Sequence, residues 1–148
     1  AVHPYEEVAY DQAPLTNVHQ GIGSGAVGEL PEAMDEASFL ARVKGLFGAP
    51  VVRHTALRGR PVKRVAVCGG SGAFLVGKAL AAGADAYITG DVKYHEFFQA
   101  EGRMVIADIG HFESERFTMD LIQRRLAGIF PTFAVRLTDT VTNPIHVS

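Results

Sequence analysis

Short apolar segments alternate with helix-forming segments along most of the chain, and this alternation limits the folds that are open to it. The strand-like segments are residues 51–53, 62–67, 85–89, 104–108 and 133–137, and the helical segments are residues 35–47, 72–82, 93–101 and 111–127. Strands that alternate with helices predict an α/β fold with a mostly parallel, right-handed sheet. Segments 62–67 and 104–108 are almost entirely apolar, as expected for strands that helices cover on both faces of the sheet.

Composition and charge exclude several classes of protein. Of the 148 residues, 47% are apolar and 20% are charged, which is typical of a globular domain. The net charge is -2 and no basic block occurs, so nothing points to a nucleic-acid partner. No apolar run is long enough for a membrane span, and no signal-peptide pattern occurs. The single cysteine, Cys68, excludes an internal disulfide and fits the reducing cytoplasm, where we expect the protein to reside.

The first thirty residues differ in pattern from the remainder. Residues 2–13 have an extended character, and residues 21–28 are a glycine-rich stretch suited to a loop that leads into a short strand. The chain begins at Ala1 without an initiator methionine, which suggests a fragment, a processed chain or an expressed segment. We therefore expect residues 1–30 to be a separate part that precedes the α/β unit over residues 31–148.

The run from Ala107 to Glu115 carries the strongest chemical signal. A strand is predicted to end at Asp108, and a helix then begins with His111 and Glu115 four residues apart, on one face. Imidazole and carboxylate together suit zinc, manganese or ferrous iron, and they also suit acid/base chemistry. The alternative is a helix start whose acidic residues complement the helix dipole. That alternative does not explain His111, and the residues alone leave the two readings evenly balanced.

Two further predicted strand ends carry polar residues and glycines toward the same sheet edge. Gly69, Gly70, Ser71 and Gly72 form a turn whose amides could bind an anion, although a tight turn for close packing is the more common role. Asp91 and His95 follow the next strand and are candidate catalytic groups; a helix cap for Asp91 and a surface position for His95 are the alternatives. Thr89 and Asp108 are candidates for orienting the ligands.

Four motifs, in this order, resemble the NIF-three-like family, whose members are often catalogued as GTP cyclohydrolase I type-two homologues. They are the segment from His3 to Asp11 with the glycines and Val27-Gly28-Glu29-Leu30 that follow it, the segment Arg64–Gly72, the segment Ala84–Asp91, and Gly110-His111 with Glu115. The resemblance covers almost the whole chain. It implies that residues 1–30 are the end of the family's inserted domain with its linker, and that residues 31–148 are the C-terminal α/β half.

The resemblance also implies a centre of two divalent metal ions that is built from both halves of a full-length protein. His111 and Glu115 match the ligands of the C-terminal half, whereas a pair of adjacent histidines and an aspartate come from the N-terminal half. This sequence contains no adjacent pair of histidines. We therefore expect the chain alone to bind metal weakly or not at all. Full-length members form ring-like hexamers, which implies a homo-oligomer.

Two functions follow as expectations. The first is the C-terminal part of a metal-dependent hydrolase that acts on a nucleotide-like or phosphorylated small molecule, with a metal-activated water as nucleophile. The GTP cyclohydrolase description is inherited through the resemblance, since none of these residues reads out a guanine base. The alternative is a non-catalytic binding, regulatory or oligomerisation module, which needs no complete metal site.

Overall fold

A computed structural model describes residues 22–148, and a five-stranded sheet forms the centre of this region. The strands are Ala26–Met34 (β1), Arg53–His54 (β2), Val62–Ser71 (β3), Ala86–Gly90 (β4) and Val105–Asp108 (β5). Their order across the sheet is β1-β3-β4-β5-β2. The three central strands are parallel, as predicted, whereas β1 and β2 pair antiparallel with β3 and β5 at the two edges.

Helices cover both faces of this sheet. The α-helices are Glu36–Phe47 (α1), Val76–Ala81 (α2), His111–Glu115 (α3) and Phe117–Ile129 (α4), and 3₁₀ segments run over Ala73–Leu75 and Tyr94–Ala100. The predicted limits of α1 are confirmed. Asp35 accepts a hydrogen bond from the amide of Ser38 at 2.9 Å, and Gly48 ends the helix in the left-handed conformation at φ 58°.

The hydrophobic core lies in two layers, one on each side of the sheet. Successive side chains of a strand point to opposite faces, so Val105 and Ala107 pack with α1 while Ile106 packs with α2. All side chains of β4 and β5 are buried. The central strands are therefore covered on both sides, which is why their sequences read as continuous apolar runs.

Several predicted elements differ in type or length from those observed. The helix predicted over residues 93–101 is a 3₁₀ segment, and the one predicted over 72–82 begins with a 3₁₀ turn. Apolar spacing in so short a segment does not distinguish the two helix types. The helix predicted over 111–127 is divided at Arg116 into α3 and α4, and Gly128 lies inside α4 and does not end it.

The strand predicted over residues 133–137 is wrong. Residues 131–148 contain neither helix nor strand, and the side chain of Phe133 is 69% exposed. The position beside β5 is taken by β2, and the carbonyl of Val135 accepts a hydrogen bond from Gln123 of α4 at 3.1 Å. Val135 therefore contacts α4, Asn143 donates to Glu113 of α3, and this segment does not extend the sheet.

A buried arginine joins α1 to the sheet. The Arg58 guanidinium donates to Glu36 at 2.9 Å and to Asp85 at 3.0 Å, and the side chains of Arg58 and Glu36 are each only 4% exposed. Burial by itself would raise the pKa of Glu36, but hydrogen bonds from Arg58 and Gly59 outweigh it and leave that pKa lowered. Sequence patterns gave no indication of this network.

The predicted division of the chain at residue 30 falls inside β1. Residues 26–30 belong to the sheet because Ala26, Val27, Gly28 and Glu29 pair with β3. Residues 1–21 lie outside the described region, so the predicted extended segment over 2–13 and the inserted-domain assignment stay predictions. In the region that is described, no helix is long and apolar enough to cross a membrane.

Candidate functional site

The carboxyl ends of β3, β4 and β5 meet at one edge of the sheet, as the sequence predicted. These strands are neighbours and run parallel, so the loops that follow them lie side by side. The approach is close: a Cβ on Gly90 would lie 2.9 Å from the carbonyl of Gly110 and from the amide nitrogen of His111. Glycine at position 90 therefore allows the loops of β4 and β5 to pack against each other.

His111 lies between two carboxylates. Its Nδ1 atom is 2.6 Å from Oδ2 of Asp91, and its Nε2 atom is 3.1 Å from Oε2 of Glu115. The contact with Glu115 confirms that the two residues share one face of α3. Ser71 donates to Oδ2 of Asp91 at 2.7 Å, so residues from all three strand ends join one group. About half of each of the three ionisable side chains is exposed to solvent.

This arrangement favours the protonated, positively charged form of the His111 imidazole. The hydrogen bond that the His111 ring donates to Asp91 raises the pKa of His111, desolvation opposes this increase, and the charges of Asp91 and Glu115 add to it. The pKa of Asp91 is lowered, first by the hydrogen bond from Ser71 and then by the one from His111. Two carboxylates around one ring therefore favour either a second proton on that ring or a metal ion beside it.

The predicted turn over residues 69–72 is wrong for its first three residues, since β3 continues past residue 67 to Ser71, and the glycines at its end let α3 approach. The amide of Gly70 donates to Oγ of Ser114 at 2.8 Å, and the amide of Gly72 donates to Oγ1 of Thr89 at 3.0 Å. These two amides are therefore already bonded within the protein and are not free to bind an anion. The prediction that Gly70 and Gly72 bind an anion is thus wrong. For Gly69 and Ser71 anion binding stays a prediction. A Cβ on Gly70 would overlap the Glu115 carboxylate, which explains glycine at that position.

Thr89 and Asp108 hold the loops that carry the site. Thr89 is fully buried and its hydroxyl also donates to the carbonyl of Gly70 at 3.0 Å. The buried Asp108 accepts the amide of Val92 at 3.0 Å through one oxygen and the amide of Gly110 at 3.0 Å through the other. Both residues fix backbone positions, and within residues 22–148 neither forms a hydrogen bond with His111 or Glu115. Their predicted role of orienting the ligands directly stays untested.

Asp91 does not cap the following helix. Lys93 precedes the 3₁₀ segment Tyr94–Ala100, and its amide donates to Glu96 at 2.7 Å. The Asp91 carboxylate instead bonds Ser71 and His111, so the capping alternative is wrong. His95 is exposed and makes no hydrogen bond or ion pair with any residue in the range 22–148, so the structure does not bring it to the group around His111. Catalytic roles for Asp91 and His95 stay predictions.

Sequence reasoning missed two residues of this region, Arg53 and Ser114. Ser114 accepts from the amide of Gly70 and donates to the carbonyl of His111, both at 2.8 Å, which connects the end of β3 to α3. Arg53 donates to the carbonyl of Val92 at 2.9 Å and pairs with Asp108. Arg53, Asp91 and His111 line a cavity of about 230 Å³. Ser114 follows Gly110 by four residues, which is only a weak indication in the sequence that it belongs to this region. Nothing in the sequence indicated Arg53.

The His111–Glu115 pair fits a divalent metal ion as part of a ligand set. Zinc binds imidazole nitrogen and carboxylate oxygen at about 2 Å, so two ligands of one ion lie roughly 3 Å apart. The observed separation of Nε2 and Oε2 is 3.1 Å. Among the residues that the structure describes, no three or more His, Cys, Asp or Glu side chains are grouped to hold a metal. Further ligands would have to come from elsewhere.

Comparison with known proteins gives a consistent family match. Residues 4–144 match the Duf34/NIF3 (NGG1p interacting factor 3) family. A GTP cyclohydrolase 1 type 2 homolog from Bacillus subtilis is 35% identical over 147 residues, which is 96% of this chain and 39% of that protein. Another from Halalkalibacterium halodurans is 43% identical over 93 residues, or 63% of this chain and 25% of that protein.

Solved structures agree with the sequence comparisons. A Bacillus cereus protein related to NIF3 has a TM-score of 0.74 and 31% identity, covering 99% of this chain and 41% of that one. Staphylococcus aureus protein SA1388 has a TM-score of 0.77 and 27% identity, covering 84% of this chain and 42% of that one. The chain thus spans well under half the length of these relatives.

Proposed function

Because the chain belongs to the Duf34/NIF3 family, we propose that it supplies part of the ligand set of a divalent-metal centre. His111 and Glu115 are the ligands, and the remaining ligands come from outside residues 22–148. The single observation that carries this proposal is the position of the His111 ring, with Asp91 at one nitrogen and Glu115 at the other. That pattern is typical of a metal-binding histidine whose second nitrogen is held by a carboxylate.

The reaction class that this site supports is hydrolysis of a nucleotide-like or phosphorylated small molecule. A bound metal ion would supply a water of lowered pKa and would polarise the bond that is cleaved. Arg53 lines the cavity beside His111 with a side chain that is 57% exposed, and a guanidinium binds phosphate or carboxylate oxygens. Asp91 holds the ring of His111. The description of the relatives as GTP cyclohydrolase 1 type 2 homologs agrees with a nucleotide-like substrate.

A second candidate is a binding or oligomerisation module, and α4 favours it. No residue of α4 is buried, and its apolar side chains Phe117, Met119, Leu121 and Ile122 are 41–60% exposed. Exposed apolar faces of this kind mark protein–protein contacts. The expected homo-oligomer would use such a face. Replacing Leu121 and Ile122 by Glu should then lower the mass measured by sedimentation, without changing metal binding.

Paramagnetic NMR tests the metal site even if this chain binds metal weakly. Mn²⁺ added below stoichiometry to the 148-residue chain should broaden the amide signals of Gly70, His111 and Glu115 before others. His111→Ala and Glu115→Ala should abolish this local broadening. His95→Ala is the matched control, because His95 is an exposed histidine with no bond to the group. Unchanged broadening in His111→Ala would reject the assignment.

A second metal titration, followed by calorimetry, distinguishes a partial metal site from a complete one. Calorimetry with Zn²⁺ should give weak binding, since the described residues supply only two ligands that face one point. Tight binding of two ions per chain would contradict a site that is completed from outside. Joining the N-terminal half of a full-length relative to this chain should convert weak binding into tight binding.

A further inference from the structure

We propose that Asp91 is a positioning residue that decides which ring nitrogen of His111 is available to a metal ion. This inference rests on the proposed function, because it concerns the same metal site. The hydrogen bond between Nδ1 and Oδ2 of Asp91, at 2.6 Å, carries the inference. Glu115 faces the other ring nitrogen, Nε2, at the longer distance of 3.1 Å, so the closer carboxylate is that of Asp91.

The chemistry of the ring turns this contact into a choice of tautomer. An ionised carboxylate only accepts hydrogen bonds, and both ring nitrogens face one; the contact of Nδ1 with Asp91 is the shorter of the two, so the single hydrogen of a neutral ring belongs on Nδ1. A neutral imidazole then has its lone pair on Nε2. That nitrogen lies 3.1 Å from Oε2 of Glu115, so the lone pair and a carboxylate oxygen converge on one point. Asp91 therefore leaves the lone pair on Nε2 of His111, the nitrogen that lies beside Glu115, the second proposed ligand.

The surroundings of Asp91 hold its carboxylate in place. Ser71 donates to the oxygen that also faces His111, at 2.7 Å. Asp91 has φ 54°, a left-handed conformation that is uncommon for residues other than glycine and that aspartate and asparagine adopt more readily than most. In the range 22–148, only Glu101 among the other non-glycine residues shares this conformation, at φ 51°. Glu101 ends the 3₁₀ segment Tyr94–Ala100, a place where this conformation is common. Asp91 has the same conformation in the loop that follows β4.

A purely structural role for Asp91 predicts different behaviour. The carboxylate would then stabilise the loop through bonds to backbone amides, as Asp108 does. Within the described chain, the recorded partners of the Asp91 carboxylate are the side chains of Ser71 and His111. Its removal should therefore alter the His111 ring more than it alters the fold.

The test measures the tautomer of His111 and its affinity for Zn²⁺ in the 148-residue chain. The chain is labelled with ¹⁵N-histidine, and the ring is observed at a pH where it is neutral. Asp91→Gly removes the carboxylate and tolerates positive φ, so the backbone need not move. Asp91→Asn keeps an acceptor oxygen and also tolerates this conformation. Glu101→Gly is the matched control, since it changes the other residue with a left-handed backbone.

Wild type and Glu101→Gly should show Nδ1 protonated and equal affinity for Zn²⁺. Asp91→Gly should show a mixture of tautomers and bind Zn²⁺ about 10–100-fold more weakly, the usual effect of losing such a partner. Asp91→Asn should keep the wild-type tautomer and lose less affinity. An unchanged tautomer and affinity in Asp91→Gly would overturn the inference and leave the metal site intact. Zn²⁺ affinity that His111→Ala does not reduce would instead reject the proposed function.

Discussion

Gly70 and Glu115 lie so close together that a single added carbon would force them apart. A Cβ on Gly70 would overlap the Glu115 carboxylate and would stand 3.3 Å from Cε1 of His111. The backbone of Gly70 also has φ 62°, which disfavours any residue with a side chain. The end of β3 and helix α3 are therefore in close contact here, and the position of Glu115 depends on the absence of a side chain at residue 70.

Gly70→Ala should lower both stability and metal binding. Gly83→Ala is a matched control, because Gly83 has a similar φ of 71° but nothing within 4 Å of an added Cβ. We expect Gly83→Ala to lower the free energy of unfolding by about 1 kcal/mol through backbone strain alone. Gly70→Ala should lose more than this and should also reduce the Mn²⁺ broadening at His111. Equal losses in the two variants, with metal binding unchanged, would contradict the crowding of Glu115.

Thr89→Val should destabilise the fold although the two side chains have nearly the same shape. The buried hydroxyl accepts from the amide of Gly72 and donates to the carbonyl of Gly70, both at 3.0 Å. Valine would leave both groups without these partners, at a cost of about 1–3 kcal/mol in urea unfolding. Thr138→Val is the control, since Thr138 is exposed, and should change stability by less than about 0.5 kcal/mol. Similar losses at both positions would argue against the role of the Thr89 hydroxyl.

Local patterns in the sequence predicted the local parts of the site. Helix α1 was predictable because its cap residues and apolar spacing lie within one segment. The contact of His111 with Glu115 followed from their four-residue spacing on one helix face. The shared edge of the three strands followed from the rule for parallel sheets. Each of these depends on short-range geometry or on a general property of the α/β fold.

Contacts between distant residues could not be predicted in the same way. Asp91 and His111 are 20 residues apart, and a strand-end rule places both at one edge without fixing which atoms meet. Arg58 meets Glu36 and Asp85 only because a loop crosses the end of the sheet. Short strands were expected near both edge strands, but their antiparallel pairing was not predicted, because a two-residue strand such as β2 leaves almost no pattern in the sequence from which its direction could be inferred.

Removal of the buried Arg58 side chain should be far more damaging than removal of an exposed arginine. Arg58→Ala removes the charged partner of the buried Glu36 carboxylate, and such a change costs about 3–5 kcal/mol. Arg64→Ala is the matched control, because Arg64 and its partner Glu29 are 44% and 56% exposed. An exposed pair contributes about 0–1 kcal/mol. Urea unfolding of both variants checks this difference, and comparable losses would contradict a buried network.

The lowered pKa of Glu36 predicts how stability depends on pH. Burial tends to raise this pKa, but the hydrogen bonds and charge of Arg58 hold it below the ordinary glutamate value. A carboxylate whose folded pKa is lowered stabilises the fold above its unfolded pKa, about 4.3, and loses this contribution as pH falls through the folded pKa. Asp85 acts in the same direction, since the amides of Arg64 and Lys63 and the Arg58 side chain together overcome desolvation and lower its pKa.

Glu36→Gln isolates the contribution of one of these carboxylates. At pH 7 the variant should be less stable than wild type, because a neutral amide replaces the charged partner of the buried Arg58. Below the folded pKa, Glu36 is itself protonated and neutral, so the two proteins become alike in charge at this position. The difference in free energy of unfolding should therefore shrink as pH falls from 5 toward 3, measured by urea titration at each pH. A difference that stays constant over this range would show that Glu36 stabilises the fold through its shape and not through its charge.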